Sequence, residues 1–300
     1  MKKNHPLISI GLPVYNGEFF LRKAIDSVLS QTFRNFELII LDNASVDSTE
    51  KICKAYKKKD NRIKYIRQKV NIPAFNNFKN ALDEARAKYF MWIAADDMFS
   101  NENYLQIIIK KISYKYNFYF TDVSIIDDKG KIIKPKVMQR FENCKTKFDF
   151  FKELIYICSY QFYGLYERLK LIEDFKYLEI TKYDKCFNEG LFLYYVFATR
   201  KVKFIKNAIK FYRVHPNQLS SSSKLRAYQL IISWLLFFYK GVHLILILKN
   251  FSFKKKINLI AIQLNVTAKF LLILILGSIW QTLHLKKINF FLKLKSKFMQ

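Results

Sequence analysis

The pair Asp96-Asp97 contains the residue types in this sequence that most directly suggest chemistry. Both carboxylates stand just after an apolar run, Tyr89 to Ile93. Adjacent carboxylates repel each other, and a divalent cation relieves that repulsion. Mg²⁺ and Mn²⁺ favour a few carboxylate ligands together with phosphate oxygens. The alternative is structural, since aspartate commonly caps helices and the pair could cap one beginning near Ser100.

Two further polar segments also follow apolar runs in the first part of the chain. Pro13 to Asn16 comes after the run that begins at Leu7, and Asp42 to Thr49 comes after the run Phe36 to Leu41. Asp42 and the polar residues behind it could bind a ligand. They could equally satisfy turn amides and cap the next helix.

Alternating strand and helix patterns position these three polar segments. Strand-like apolar runs cover 7–12, 36–41, 62–67 and 89–93, and helix-period segments cover about 18–31, 48–58 and 75–87. Such alternation predicts a parallel sheet covered by helices. Ligands bind at the carboxyl ends of the strands in such sheets. We therefore expect the three polar segments to meet in one crevice.

The composition of the 300 residues limits the class of protein. Hydrophobic residues make up 51% and aromatic residues 17% of the chain, which excludes a disordered or fibrous protein. Lys and Arg number 52 against 24 Asp and Glu, for a net charge of +28. A surplus of this size predicts an acidic partner, which could be nucleic acid, anionic lipid or a phosphorylated substrate.

The basic charge is concentrated in a C-terminal tail, residues 224–300, which holds 13 Lys and Arg and no acidic residue. The run Ser220 to Ser223 marks its start, so we place a domain boundary there. Lys240 and Lys269 interrupt its apolar runs, and no charge-free stretch reaches the ~18–20 residues of a spanning helix. Apolar helices with basic flanks predict association with an anionic membrane surface. Packing on the catalytic domain or on a second subunit is the alternative.

The cysteines predict neither a disulfide framework nor a zinc module, because no two of them are closely spaced. They are Cys53, Cys144, Cys158 and Cys186. Reduced thiols in a cytosolic compartment fit this spacing better. The N-terminus also lacks the long apolar region of a secretory signal.

Residues 7–105 resemble the nucleotide-binding half of the family-2 glycosyltransferases, which have the GT-A fold. The segments that carry the resemblance are, in order, Ile8–Asn16, Ala24–Phe33, Phe36–Thr49, Asn71, Asn77–Leu82 and Tyr89–Asp97. The resemblance implies an α/β fold with a mostly parallel sheet flanked by helices, followed by the helical tail. It also implies a glycosyltransferase domain over 1–223, with a nucleotide-sugar-binding half (1–120) and an acceptor half (121–223).

The resemblance further implies which residues line the donor site. The nucleotide-sugar contacts would be Pro13, Tyr15, Asn16, Asp42, Asn43, Asp96 and Arg213. Many members carry an acidic residue where Asn43 stands. The cofactor would be Mn²⁺ or Mg²⁺, with Asp97 favoured as the direct ligand and Asp96 and His215 as further ligands. The first position of the family's metal motif is Ala94 here. The bland alternative for His215 is a surface histidine beside Pro216.

By the same resemblance, an acidic residue ahead of an apolar helix is the catalytic base. Glu189 precedes the apolar helix predicted at 191–198 and is favoured, with Asp184 second. The base would deprotonate the acceptor hydroxyl as that oxygen attacks the sugar. An ordinary first-turn carboxylate stabilised by the helix dipole is the alternative for either residue.

The resemblance implies a metal-assisted inverting glycosyltransferase of hexosyl or N-acetylhexosaminyl type. Its acceptor would be a hydroxyl of a surface polysaccharide (lipopolysaccharide or capsule) or a lipid-linked glycan. Its location would be the cytoplasmic face of the inner membrane, as a peripheral or monotopic protein. A homo-oligomer is possible.

Two alternatives come from other functional classes. A basic nucleic-acid-binding protein would use the +28 charge with 29 Phe and 19 Tyr for phosphate contacts and base stacking. No RNP, zinc-finger or GxxG pattern is visible in the sequence, so nucleic acid is not expected. A catalytically inactive, glycan-binding relative is the other alternative, and Ala94 is the feature that supports it.

Overall fold

A computed structural model describes residues 5–156, 160–180, 189–216, 238–243, 245–246 and 251–282 of the chain, without the side chains of 177–180, 270–271 and 273–282. The described strands are β1 (Ile8–Val14), β2 (Phe36–Asp42), β3 (Ile63–Arg67), β4 (Tyr89–Trp92), β5 (Met98–Phe99), β6 (Phe118–Ile126), β7 (Ile132–Lys134), β8 (Leu165–Glu167) and β9 (Val202–Arg213). The described helices are α1 (Leu21–Leu29), α2 (Thr49–Lys59), α3 (Ala74–Asp83), α4 (Tyr104–Ile109), α5 (Lys147–Tyr156), α6 (Arg168–Ile180), α7 (Glu189–Thr199) and α8 (Phe253–Thr282). Short 3-10 helices cover Gln139–Phe141 and Tyr160–Tyr163.

The strands form one mixed sheet in the order β3-β2-β1-β4-β8-β6-β9-β5, with β7 beside β6. The first four of these strands run parallel, β6 and β9 are parallel to each other, and β8 is antiparallel between β4 and β6. This confirms the predicted α/β fold of GT-A type. The carboxyl ends of β1, β2 and β4 point the same way, as the alternating pattern requires.

The first strand passes through Pro13 and continues to Val14, two residues beyond the predicted run 7–12. The carbonyl of Gly11 accepts the N–H of Ile93, so Gly11 faces β4. Strand alternation places Pro13 on the same side, beyond the end of β4 at Trp92. No ladder bond is lost there, and proline is tolerated.

Strand β9 runs without interruption from Val202 to Arg213. Its pairing with β6 shifts register between Thr121, opposite Ile205, and Asp122, opposite Ile209. Asn207 lies in the bulge and has a φ of 73°, which asparagine tolerates better than most residues. The bulge sets which side chains of the following residues, 208–213, enter the interior.

Both faces of the sheet are covered by apolar side chains, which explains why β2 is apolar at successive positions. Leu38 and Ile40 pack with α1, α2 and α4 on one face. Ile39 and Leu41 pack on the other face with α3, α5, α6 and α7. The sheet is therefore a rigid base for the loops at its carboxyl edge.

The predicted helical tail is present as α8, which packs on α5. Phe251 lies 5.9 Å from the rings of both Phe148 and Phe151. None of the described helices has the length and hydropathy needed to cross a membrane. The predicted boundary at 223/224 lies outside the described residues, and the division at 120/121 falls inside β6.

Candidate functional site

Two loops at the carboxyl edge of the sheet are joined to each other by hydrogen bonds. Loop 1 (15–20) follows β1, and loop 2 (43–48) follows β2. The N–H of Asn16 donates to Oγ of Ser45 at 2.9 Å, and the N–H of Val46 donates to Oδ1 of Asn16 at 3.0 Å. The N–H of Gly17 donates to Oγ1 of Thr49 at 2.8 Å. These bonds fix the two loops as one unit, with Tyr15 exposed at its surface.

Asp42, at the end of β2, is fully buried and its carboxylate is engaged within the protein. The Ser45 N–H donates to Oδ1 at 2.9 Å, the Tyr65 hydroxyl donates to Oδ2 at 2.8 Å, and Arg67 Nε lies 3.5 Å from Oδ2. Both carboxylate oxygens of Asp42 therefore accept hydrogen bonds from the protein, one from loop 2 and one from β3. A contact from Asp42 to a base or ribose stays a prediction.

Asn43 joins loop 2 to the segment before α3. Its side-chain amide donates to Oδ1 of Asn71 at 2.7 Å and to the carbonyl of Ile72 at 2.8 Å, and its Oδ1 accepts the Ile72 N–H at 2.9 Å. Asn71 was part of the sequence resemblance, and this contact explains its position. Pro13 is buried. Roles of Pro13, Tyr15, Asn16 and Asn43 toward a nucleotide stay predictions.

A third loop, loop 3 (93–97), follows β4 and meets loop 1. A Cβ placed on Gly17 would lie 3.7 Å from Cβ of Ala95. The ring of Phe20, at the end of loop 1, lies 4.8 Å from the ring of His215. His215 Nε2 in turn lies 3.1 Å from Oδ2 of Asp96. The three polar segments predicted to converge do meet at one edge of the sheet.

The acidic corner of the site consists of Asp96, Asp97 and His215. Asp97 is 1% exposed, and its Oδ1 accepts the backbone N–H of Arg213 at 3.1 Å. Its Oδ2 has no hydrogen-bond partner among the described residues. Burial, reinforced by the nearby Asp96 charge, raises the pKa of Asp97. Asp96 is 25% exposed at its side chain and so faces the open edge.

The donor set of this corner fits a cation that also takes phosphate oxygens. No group of three or more His, Cys, Asp or Glu converges to hold a metal ion within the described residues. Mg²⁺ and Mn²⁺ sites of nucleotide enzymes need only one or two carboxylates, because the phosphates complete the shell. The unpartnered Oδ2 of buried Asp97 and the partly exposed Asp96 beside His215 supply that number.

Arg213 braces the acidic corner, a different use of its guanidinium from the phosphate contact that the resemblance implies. The side chain is 1% exposed. Its Nε donates to the carbonyl of Asp96 at 3.0 Å, and one terminal nitrogen donates to the carbonyls of Asp127 and Asp128 at 2.9 and 3.1 Å. The guanidinium also lies 4.8 Å from the ring of Phe20. Loop 1, loop 3 and β9 are thus held together by one side chain.

Glu189, the favoured base, is the first residue of α7 and is half-buried. Burial raises its pKa to about 7, and the positive charge of Lys210 opposes that rise. A carboxyl group that titrates near neutral pH suits a general base. Its site at a helix N-terminus also favours the charged form. Asp184, the second candidate, lies outside the described residues.

Lys210 is a charged residue of this region that none of the sequence motifs indicated. It lies on β9, is 2% exposed, and its Nζ is 4.2 Å from the ring centroid of Tyr163. Asp96, Asp97 and Glu189 are close enough for their charges to act on it. The signal in the sequence is a lysine within the otherwise apolar run from Ala208 to Tyr212.

Comparison with known sequences identifies the family. The profile described as Glycosyl transferase family 2 matches residues 9–172, more than half of the chain. The uncharacterized glycosyltransferase RP339 of Rickettsia prowazekii is 34% identical over 193 residues, which are 58% of this chain and 59% of the relative. RT0329 of Rickettsia typhi is 32% identical over 203 residues, covering 60% of this chain and 62% of the relative. The chain thus matches about three fifths of the length of these relatives.

Solved structures show the same fold at low sequence identity. TarS of S. aureus in complex with UDP-GlcNAc has a TM-score of 0.68 at 17% identity, over 86% of this chain and 72% of that one. The mannosyltransferase PcManGT of Pyrobaculum calidifontis, in complex with GDP-Man and Mn²⁺, has a TM-score of 0.53 at 12% identity. The match covers 87% of this chain and 74% of that one. With the fold, the converging loops and the profile match in agreement, this chain belongs to Glycosyl transferase family 2.

Proposed function

We propose that this protein transfers a sugar, with inversion at the anomeric carbon, from a nucleoside-diphosphate sugar to an acceptor hydroxyl. The observation that carries the proposal is the meeting of loops 1, 2 and 3 beside the acidic corner. Such an edge can hold a nucleotide on one side and a diphosphate on the other. Relatives of the same fold were solved with UDP-GlcNAc and with GDP-Man and Mn²⁺, which supports this ligand class.

The residues of the chain divide the reaction between them. Loops 1 and 2 bind the nucleoside against Tyr15, and Asp96, Asp97 and His215 would hold the divalent cation. When bound, Mn²⁺ or Mg²⁺ neutralises charge that develops on the leaving diphosphate. The Glu189 carboxylate accepts the proton of the acceptor hydroxyl while that oxygen bonds to the anomeric carbon and the bond from that carbon to the phosphate oxygen breaks. Direct displacement inverts the anomeric centre without a covalent enzyme intermediate.

Donor binding is tested by calorimetric titration of UDP, GDP and dTDP sugars into the protein with and without Mn²⁺. We expect one nucleotide class to bind, and to bind more tightly when Mn²⁺ is present. Replacing Asp96 by Asn should remove that metal dependence, whereas Asp128→Asn, an exposed carboxylate next to the Arg213 brace, should not. Absence of binding across the panel would contradict the donor assignment, and metal-independent binding would contradict the role of the acidic corner.

We also propose that the acceptor is a growing surface polysaccharide or a lipid-linked glycan at the inner face of an anionic membrane. An exposed apolar stripe on α8 supports this location. It consists of Phe253, Ile257, Ala261, Leu264, Ala268 and Leu272. These positions recur every three or four residues and so share one helix face. The opposite face, with Leu259, Gln263 and Thr267, is buried against the protein.

Charge complementarity favours anionic lipid as the occupant of this stripe. Lys254 and Lys269 are exposed next to it, and the whole tail lacks acidic residues. An apolar stripe edged by lysines lies in the headgroup region with its charges toward anionic lipid. The lysines alone would fit nucleic acid as well, but the apolar stripe between them would not.

Vesicle sedimentation with two matched double variants tests the membrane proposal. Ile257→Glu with Leu264→Glu places two negative charges in the stripe, and Asn258→Glu with Asn265→Glu places the same charges on its polar border. We expect the wild type to sediment with phosphatidylglycerol-containing vesicles, the stripe variant to lose most binding, and the border variant to keep more of it. Equal loss in both variants would contradict the stripe, and binding of oligonucleotide without vesicles would favour the nucleic-acid alternative.

A further inference from the structure

Phe20, the last residue of loop 1, joins this loop to the acidic corner through its aromatic ring. The centroid of the ring lies 4.8 Å from that of His215, and the guanidinium carbon of Arg213 lies 4.8 Å from the same ring centroid. Both distances are typical of attractive ring–ring and cation–ring contacts. Phe20 is half-buried, whereas the neighbouring Phe19 is 72% exposed. Loop 1 therefore directs one of its two adjacent phenylalanines toward the acidic corner and leaves the other in solvent.

The backbone of loop 1 gives this ring a fixed support. The Phe20 N–H donates to the carbonyl of Gly17 at 3.2 Å, and Phe20 lies directly before α1. The Gly17 N–H donates to Oγ1 of Thr49, the first residue of α2, at 2.8 Å. The ring is thus carried by a turn that is tied to two helices. Support of this kind is what an accurately placed binding group needs.

His215 lies two residues past the end of β9, outside the sheet. The last backbone hydrogen bond before it joins the Val214 N–H to the carbonyl of Ile126 at 2.9 Å. Its imidazole contacts Asp96 through Nε2 at 3.1 Å and makes no other hydrogen bond within the described ranges. The side chain is nevertheless only 12% exposed. The position of the imidazole therefore depends on the ring of Phe20 as well as on Asp96.

We propose that Phe20 is a positioning residue for the cation of the acidic corner, because its ring holds the His215 imidazole beside Asp96. The inference rests on the proposed function, in which Asp96 and His215 would bind Mn²⁺ or Mg²⁺ together with the donor diphosphate. These two ligands come from different elements, so something must hold them side by side before an ion can use both. Groups that orient metal ligands commonly change metal affinity by about 10- to 100-fold when they are removed.

Phe20→Leu tests the proposal, because leucine keeps an apolar side chain and removes the ring. The control is Phe33→Leu, the same change at a half-buried phenylalanine beyond the other end of α1. We expect Phe20→Leu to weaken the binding of UDP, GDP or dTDP, whichever binds, about tenfold with Mn²⁺ and by less than about twofold without it. Phe20→Tyr, which keeps the ring, and the control should stay within about twofold of the wild type in both conditions. Calorimetric titration measures all of these affinities.

A purely structural role for Phe20 would weaken binding by the same factor with and without Mn²⁺, and that result would overturn the proposal. Equal losses in Phe20→Tyr and Phe20→Leu would overturn it too, because the ring would then not be the active feature.

A double-mutant cycle with His215→Asn shows which group Phe20 acts through. In that background, Phe20→Leu should weaken Mn²⁺-dependent binding by less than about twofold, because the imidazole that it positions is gone. An undiminished loss would mean that Phe20 acts through a group other than His215, which contradicts the proposal.

A measurement without metal or nucleotide separates this inference from the proposed function. The Hε1 proton of His215, assigned by its absence from the ¹H NMR spectrum of His215→Asn, is close enough to Phe20 to be shifted by its ring current. We expect this resonance to move in Phe20→Leu and to stay in Phe33→Leu, and an unmoved resonance would contradict the contact. If it moves but no nucleotide binds to the wild type with Mn²⁺, the donor assignment fails and the positioning role fails with it. If nucleotide binding depends on Mn²⁺ and Phe20→Leu leaves it unchanged, the positioning role alone fails.

Discussion

The two sides of the candidate site differ in how their polar groups are satisfied. On the side built by β1, β2 and β3, the polar side chains of Asn16, Asp42 and Asn43 bond to other parts of the protein. On the side built by loop 3, β9 and α7, Oδ2 of Asp97 and Nζ of Lys210 have no hydrogen-bond partner among the described residues. On the first side, hydrogen bonds within the protein satisfy the polar side chains. On the second side, buried groups without hydrogen-bond partners destabilise the folded state, and they lie where the reaction is proposed.

Glu189→Gln should have the largest effect of the variants, and it should lower kcat while leaving donor binding unchanged. We expect kcat to fall by about 10²- to 10⁴-fold, because the amide cannot accept the acceptor proton. Donor affinity should stay within about twofold of the wild type, since the nucleotide contacts lie on the other side. Steady-state kinetics paired with calorimetry measures both quantities. Glu142→Gln, at an exposed position, is the control, and equal loss of affinity and kcat would remove Glu189 from the role of base.

Asp42→Ala should act in the opposite way, on stability. The Tyr65 hydroxyl and the Ser45 N–H would both lose their acceptor in a buried setting. We expect the free energy of unfolding to fall by about 2 kcal/mol, measured by urea denaturation. Asp83→Ala, which breaks only an exposed ion pair with Lys79, should change it by less than about 0.5 kcal/mol. Similar values for the two variants would show that loop 2 is not held by Asp42.

Asp96→Asn tests whether the acidic corner binds the cation, and it should affect binding more than stability. We expect Mn²⁺-dependent binding of a nucleoside diphosphate to weaken about tenfold, or about 1.4 kcal/mol. Stability should change little, because the side chain is partly exposed and pairs only with His215 among the described residues. Calorimetric titration with and without Mn²⁺ gives both numbers. If Asp97→Asn weakened metal-dependent binding and Asp96→Asn did not, the buried aspartate would be the direct ligand, as the resemblance favours.

Ala44→Gly should give the smallest effect and should stabilise the protein. Ala44 in loop 2 has a φ of 60°, a left-handed conformation that strains any residue with a Cβ. Glycine relieves that strain, so we expect a gain of up to about 1 kcal/mol in thermal or urea unfolding. The same substitution at Ala55, exposed within α2, should lose about 1 kcal/mol. A loss at both positions would mean that loop 2 is not strained at Ala44.

Much of the first side of the site follows from the sequence alone. Strands β1 to β4 coincide with the apolar runs, and the polar segments lie at their carboxyl ends as predicted. Local pattern is sufficient there because each strand pairs with a neighbour in one simple parallel register. Among these four strands the prediction differs notably only at Pro13, where the end of β4, and not the proline, decides whether a hydrogen bond is lost.

The second side depends on contacts between residues far apart in sequence. Arg213 donates to carbonyls of loop 3 and of the segment after β6, and no local pattern predicts those partners. Lys210 faces inward only because β9 bulges opposite β6. A lysine in an apolar strand is a visible signal, but its three acidic neighbours come from loop 3 and α7. Tertiary packing, and not local propensity, therefore brings together the charged residues of loop 3, β9 and α7.

The most direct test of this account follows the hydrolysis or transfer of α-linked nucleotide sugars by ¹H NMR, with Mn²⁺ present, across pH 5 to 9. Sugar released or transferred in the β configuration, at a rate that rises with pH to a plateau above about 7, is the result that the site predicts. Deprotonation of Glu189, whose pKa burial raises to about 7, would produce that rise. Release of the α configuration, or a rate that falls as pH rises through 7, would contradict direct displacement assisted by a carboxylate base.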